Sequence, residues 1–199
     1  MNLLESVNAI LPKLGEDKVT SLDEPNSSVG VILPLIKIHR RALLEMGWSF
    51  NSIPLKLYKN IVNGEYRVPE NVLHFYPDDP NKARLFGRKI IDPTTGDNPA
   101  SDSPIPGYAC VDMEFGDLPE NAARYVFYSA ACEAFNDTLG AQGELAQWQQ
   151  NALSAFASLT QAEQRSNNFT ERRSYERARI LSGVGGNVLT WNGSNYDVI

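Results

Sequence analysis

The chain has 199 residues, 42% of them hydrophobic, with 18 basic and 24 acidic side chains and a net charge of −6. That length and balance fit one globular domain of ordinary size, or two small ones, and leave no case for a disordered or fibrous chain. The acidic excess argues against tight wrapping of free nucleic acid, which needs many Lys and Arg contacts to phosphate. The two cysteines, Cys110 and Cys132, and two histidines, His39 and His74, are too few for a tetrahedral zinc set.

No stretch approaches the roughly 20 apolar residues of a membrane span. The N-terminus lacks the basic start and apolar run of a secretory leader. A soluble protein made in a cytoplasm is therefore expected, with no membrane partner.

In chain order, Leu3, Leu4, Val7, Ile10, Leu11 and Leu14 recur at helical spacing. Pro12 should kink or shorten the last turn, and Gly15 is a natural stop. A second helix is expected from Ser27 to Met46, capped by Ser27 or Ser28 and ended by Gly47. Its apolar residues cover most of its circumference, which suits a helix buried on more than one side. Pro34 should bend it.

From Trp48 to Phe115 the pattern changes to short strands and turns. Ile53, Leu55 and Leu57 alternate with Pro54 and Lys56; Val72–Tyr76 and Leu85–Ile91 are compact apolar runs; Val111, Met113 and Phe115 alternate with Asp112 and Glu114. Together they predict a half-buried sheet of four or five strands. Residues 92–107, with Pro93, Pro99, Pro104 and Pro106, read as a long exposed loop.

Helix returns over Leu118–Leu139, with Pro119 in the first turn, Asp117 as the cap and an alanine-rich apolar face. A further helix over 143–167 carries Leu145, Trp148, Ala152, Ala155, Leu159 and Ala162 at alternating steps of three and four. Gln149, Asn151 and Ser158 stand where a free zipper would carry charge pairs. The seam therefore reads as half of an antiparallel pair with Leu118–Leu139. Phe169–Ile180 is helical and basic, and residues 182–199 are glycine-rich yet apolar. Within that tail, Asn192-Gly193 predicts a two-residue hairpin turn pairing Leu189, Thr190 and Trp191 with Ser194, Asn195 and Tyr196.

No constellation of catalytic residues emerges. Asp78-Asp79 reads as a turn, and Asp112 with Glu114 as the wet face of a strand. The alternative is a glycan hydrolase using carboxylates such as Asp79 and Asp112. Gly183-Val184-Gly185-Gly186 lacks the flanking strand, helix and Lys-Ser/Thr of a phosphate loop. No cofactor or metal is expected. Two features point to partners instead. One is the cluster Arg165, Arg172, Arg173, Arg177 and Arg179, suited to an acidic subunit or passing DNA. The other is the apolar tail with Leu189, Trp191, Tyr196 and Ile199, which needs a surface to dock on. Arg172, Arg173, Arg177, Leu189, Trp191, Tyr196 and Ile199 are the candidate interface residues.

Three segments together carry a resemblance. They are Val7-Asn8-Ala9-Ile10-Leu11 through Val19-Thr20-Ser21-Leu22-Asp23, then Met46-Gly47-Trp48-Ser49-Phe50-Asn51, and Leu118-Pro119-Glu120 leading into Arg124-Tyr125 and Ala134-Phe135-Asn136. In these the chain resembles the tail tubular protein A family, the head-to-tail adaptor ring proteins of short-tailed bacteriophages. The similarity spans most of the chain and is weakest over residues 60–107 and after Gly183. It implies a structural, non-enzymatic virion protein of the phage tail, forming a dodecameric ring between the portal protein and the tail nozzle protein. DNA would pass through the lumen without sequence specificity. The expected fold is α+β: a ring-forming helical bundle from residues 1–47 and 118–181, an inserted, mainly antiparallel β domain over 48–117, and an extended docking tail, 182–199.

Overall fold

The computed structural model describes the backbone of residues 1–139, 142–181, 189–191 and 196–198, and the side chains of residues 1–136 and 145–166. The chain divides into two compact units, Met1–Ser158 and Leu159–Ile199. Helices and small antiparallel sheets give it an α+β fold.

Helix α1 spans Leu3–Ile10, and the Asn2 side chain caps it by accepting from the Leu4 N–H at 3.0 Å. As the sequence predicts, Pro12 tightens the end of this segment into a 3-10 turn, Leu11–Leu14, which stops at Gly15 in the left-handed conformation (φ 81°). Val7, Ile10 and Leu11 are fully buried.

Helix α2 spans Ser27–Glu45. Its cap is Asn26, whose Oδ1 accepts from the Val29 N–H at 2.9 Å, and not Ser27 or Ser28. The Ser28 hydroxyl is engaged by Glu16 at 3.0 Å instead. Pro34 lies inside the helix on its exposed side, so the hydrogen bond it cannot donate faces water.

The β region holds two three-stranded antiparallel sheets where the sequence suggests one. Strands β1 (Ser52–Leu57), β2 (Tyr66–Arg67), β3 (Val72–Pro77), β4 (Arg84–Phe86), β5 (Lys89–Ile91) and β6 (Ile105–Val111) pair in the orders β1-β6-β3 and β2-β5-β4. Leu57, Phe75 and Ala109 from the first sheet share one buried cluster with Tyr66 and Ile90 from the second. The apolar run Leu85–Ile91 is a hairpin rather than one strand, because Gly87 turns the chain at φ 61°.

The last strand differs most from its sequence pattern. The prolines mark residues 92–107 as loop, yet Ile105–Val111 is the central strand of its sheet. Pro106 is tolerated because it sits at the strand's start, before pairing with β3 begins at Pro77↔Gly107. The strand then ends at Val111, so the alternation through Phe115 does not continue the sheet. Phe115–Asp117 is a 3-10 turn, and the next helix starts at Glu120, two residues later than the pattern indicates.

Helix α3 spans Glu120–Leu139, with Ala122, Ala123, Val126, Ala130, Ala131 and Ala134 buried along it. Helix α4 runs from Gln142 to Leu181 as one element, joining the two helices that the sequence separates at Asn167-Asn168. The seam expected between α3 and α4 is present. The Trp148 ring centroid lies 5.6, 5.6 and 5.4 Å from those of Phe127, Tyr128 and Phe135, and Phe156 lies 5.1 Å from Tyr125. Numbers rise along α4 as they fall along α3, so the pair is antiparallel.

In the tail, Leu189–Trp191 (β7) pairs with Tyr196–Val198 (β8), with Trp191 opposite Tyr196 and Leu189 opposite Val198. The hairpin exists, but its register is shifted from the two-residue Asn192-Gly193 turn.

One glycine is indispensable to the first sheet. A Cβ on Gly107 would lie 2.3 Å from the Tyr76 carbonyl oxygen and 2.6 Å from the Phe75 ring. Gly107→Ala should therefore destabilise the protein by about 1–3 kcal/mol or more through overpacking. Urea denaturation checks this; a change within about 0.5 kcal/mol would contradict the close approach of β3 and β6.

Candidate interaction surfaces

The helices and the first sheet meet at a buried polar junction. Gly47, at φ 73°, reverses the chain after α2, and its missing side chain makes room for Cys110, whose Sγ would be 3.0 Å from a Cβ there. Asn51 is fully buried. Its Oδ1 accepts from the Trp48 N–H at 2.8 Å, and its Nδ2 donates to the carbonyls of Leu44 at 2.8 Å and Val111 at 3.2 Å. The Trp48 indole N–H donates to the Leu43 carbonyl at 2.8 Å, while its ring stacks on Phe50 and meets Phe156 edge-on. The segment Gly47-Trp48-Ser49-Phe50-Asn51 is thus a structural elbow between helix and sheet.

Arg40 makes the second tie. It is 6% exposed on α2, and its guanidinium donates to Glu114 Oε2 at 2.6 Å and Asp112 Oδ2 at 3.4 Å. This corrects the view of Asp112 and Glu114 as a strand face: the chain leaves the sheet at Val111, and both carboxylates, with Glu114 still largely in water, reach a buried cation. The sequence holds the signal. Arg40 occupies a core-facing position between Ile36 and Leu43-Leu44, and a cation there needs a carboxylate partner.

The hydrolase alternative needs two carboxylates about 5–9.5 Å apart, one with a raised pKa. Asp79 follows the Pro77 end of β3, whereas Asp112 lies beside Asn71 at the other end of that strand, its N–H bonded to the Asn71 carbonyl. At about 3.3 Å per residue the two are roughly 20 Å apart. Lys82, joined by the N–H of Asn81, also holds the Asp79 carboxyl below its ordinary value, the wrong direction for a general acid. The two carboxylates do not form a site. Both histidines have structural partners: His39 Nε2 lies 2.7 Å from Glu133 Oε2 across α2 and α3, and the His74 ring packs against that of Tyr76, tilted by 51°. Cys110 is buried and Cys132 half-buried, both as free thiols. Among the described residues, no three His, Cys, Asp or Glu side chains converge as metal ligands, and no helix is long and apolar enough to cross a membrane.

One concavity lies in the β region. A cavity of about 440 Å³ opens between the Asp78–Ala83 turn and the loop 92–106, walled by Pro99, Pro104, Ile105 and Pro106 and edged by Asp78, Asp79 and Asp92. The loop is pinned, not free. The Tyr66 hydroxyl lies 2.7 Å from the Ser101 carbonyl and 2.9 Å from that of Ser103, and Lys59 pairs with Asp102 at 2.6 Å. The candidate interface residues Arg172, Arg173 and Arg177 fall on α4, and Leu189, Trp191 and Tyr196 on β7 and β8. Their side chains, and Ile199 altogether, lie outside the described residues. Arg165 is exposed.

The model of the tail tubular protein family matches residues 4–169. The chain belongs to that family. It is also 30% identical over 156 residues to "Tail tubular protein A" of Klebsiella phage KP34, an alignment covering 76% of this chain and 81% of that protein. As a tail tubular protein it is a structural component of the phage virion tail. Family membership fits the elbow and the Arg40 tie, which act as fixtures rather than reactive groups.

Tyr66→Phe should release the 99–103 segment by removing the hydroxyl that both carbonyls share, at a cost of about 1–2 kcal/mol. Limited proteolysis should then cut faster within 93–104; an unchanged cleavage rate would contradict the pinned loop.

Proposed function

We propose that this chain is the adaptor subunit that joins the portal to the tail nozzle and lines part of the DNA ejection channel, working as a ring, dodecameric as the resemblance implies. The observation that carries this reading is the family match across residues 4–169, together with the likeness to "Tail tubular protein A". On this reading the helical segments 1–47 and 118–181 make the lateral contacts of the ring, and the β domain, 48–117, with its 92–107 loop faces the nozzle. The tail, 182–199, reaches the portal or an adjacent adaptor. An acidic protein, of net charge −6, suits a channel for DNA, since few cations are available to hold phosphates and slow its passage.

Deleting residues 183–199 should leave a folded protein that no longer binds purified portal, read by mass measurement of the two proteins alone and mixed. Unchanged portal binding by the truncated chain would remove the docking role of the tail.

A further inference from the structure

Helix α2 has two apolar faces, and among the described residues only one is covered. Val29, Ile32, Leu35, Ile36, Leu43 and Leu44 are buried. Val31, Pro34, Ile38, Ala42 and Met46 repeat at steps of three and four on the solvent side, with Val31 46%, Ile38 58% and Met46 60% exposed. That is a second, mainly apolar stripe, bordered by Lys37 and by the exposed Arg41–Glu45 pair.

Helix α4 carries an uncovered face of a different kind. From Leu145 to Ala162 there is no charged residue. At the chain's own charge density of 21%, 18 residues would carry about four charges, and a solvated helix face is normally kept in water by such groups. On the side away from Trp148 and Phe156, Ala146, Gln150, Leu153 and Ala157 are exposed at helical spacing, Leu153 by 66%. Nothing on this face carries a charge to desolvate, the condition that marks the centre of a protein interface.

We propose that these two faces cover each other between copies: the α4 face around Leu153 of one subunit packs on the Val31–Ile38–Ala42 stripe of α2 in the next. The chemistry matches. Branched Val31 and Ile38 supply ridges, and Ala146 and Ala157 beside Leu153 leave hollows for them. The choice of a second copy follows from the pair of faces. They lie on different helices, so each contact uses one face from each subunit and leaves one of each free for further copies, the heterologous geometry that closes into rings. A sister chain carries both complementary faces, so the same contact, repeated from copy to copy, covers both. The inference rests on the ring reading above and adds to it the surface through which neighbours meet.

The test is disulfide cross-linking in assembled phage particles that carry the Ile38→Cys, Leu153→Cys double variant in a Cys132→Ser background. Both sites are exposed, so the fold should be kept. Mild oxidation should convert most of the chain from monomer into a ladder of covalent dimers and higher multimers, with each single variant remaining monomeric. Particles that contain the double variant but yield only monomer, or in which the thiol introduced on α2 cross-links to a different protein, would overturn this contact while leaving the adaptor role standing. Particles that assemble without the chain would overturn the adaptor role, and this contact with it.

Discussion

One buried amide holds together the parts of the fold that lie between the end of α2 and the end of β6. Asn51 has no exposure, and three of its side-chain hydrogen bonds are made inside the protein, to Trp48, Leu44 and Val111. Its backbone adds two more, donating to the Trp48 carbonyl at 3.1 Å and accepting from the Val111 N–H at 2.9 Å. The bonds to Trp48 and Leu44 are out of water and the one to Val111 partly so, and a missing buried partner costs about 1–3 kcal/mol. The last turn of α2, the start of β1 and the end of β6 can satisfy their polar groups together only in this arrangement.

The Arg40 tie and the aromatic contacts build outward from that point. Arg40 draws the segment after β6 against α2, and Trp48 reaches Phe156, so the helix–sheet junction also meets the α3–α4 pair. These are fixed contacts, with no cleft of converging reactive groups among the described residues, and they suit a structural protein of the phage tail. On the adaptor reading, such rigidity serves a subunit that links partners above and below while DNA moves past.

Much of this was legible in the sequence where one physical signal dominates. Helical spacing found α1, α2 and the α3–α4 seam; Pro12 with Gly15 marked the 3-10 stop; the segment Gly47 to Asn51 stood out by resemblance before its hydrogen bonds gave it a reason. The misses have common causes. Pro104 and Pro106 disguised β6, because proline disfavours strand interiors but not strand starts. Gly87 split an apolar run that composition alone could not divide. Asp112 and Glu114 alternated like a strand, and only the buried Arg40, distant in sequence, explains why they turn away. The tail hairpin was anticipated, but the Asn-Gly signal set its register two residues too tight. Of the interface candidates, sequence reasoning picked three arginines of α4, Arg172, Arg173 and Arg177, and the apolar residues of the tail. The missing charges of that helix, at Gln149, Asn151 and Ser158, speak in the sequence for its pairing with α3 and not for an outer face.

Asn51 couples helix and sheet into one cooperative body. Equilibrium urea denaturation of Asn51→Ala, followed by far-ultraviolet circular dichroism for the helices and by hydrogen exchange at the β1–β6 amides for the sheet, tests it most directly. A loss of about 2–4 kcal/mol is expected, with two transitions that coincide in the parent protein but separate in the variant. A loss below about 0.5 kcal/mol with coincident transitions would contradict it.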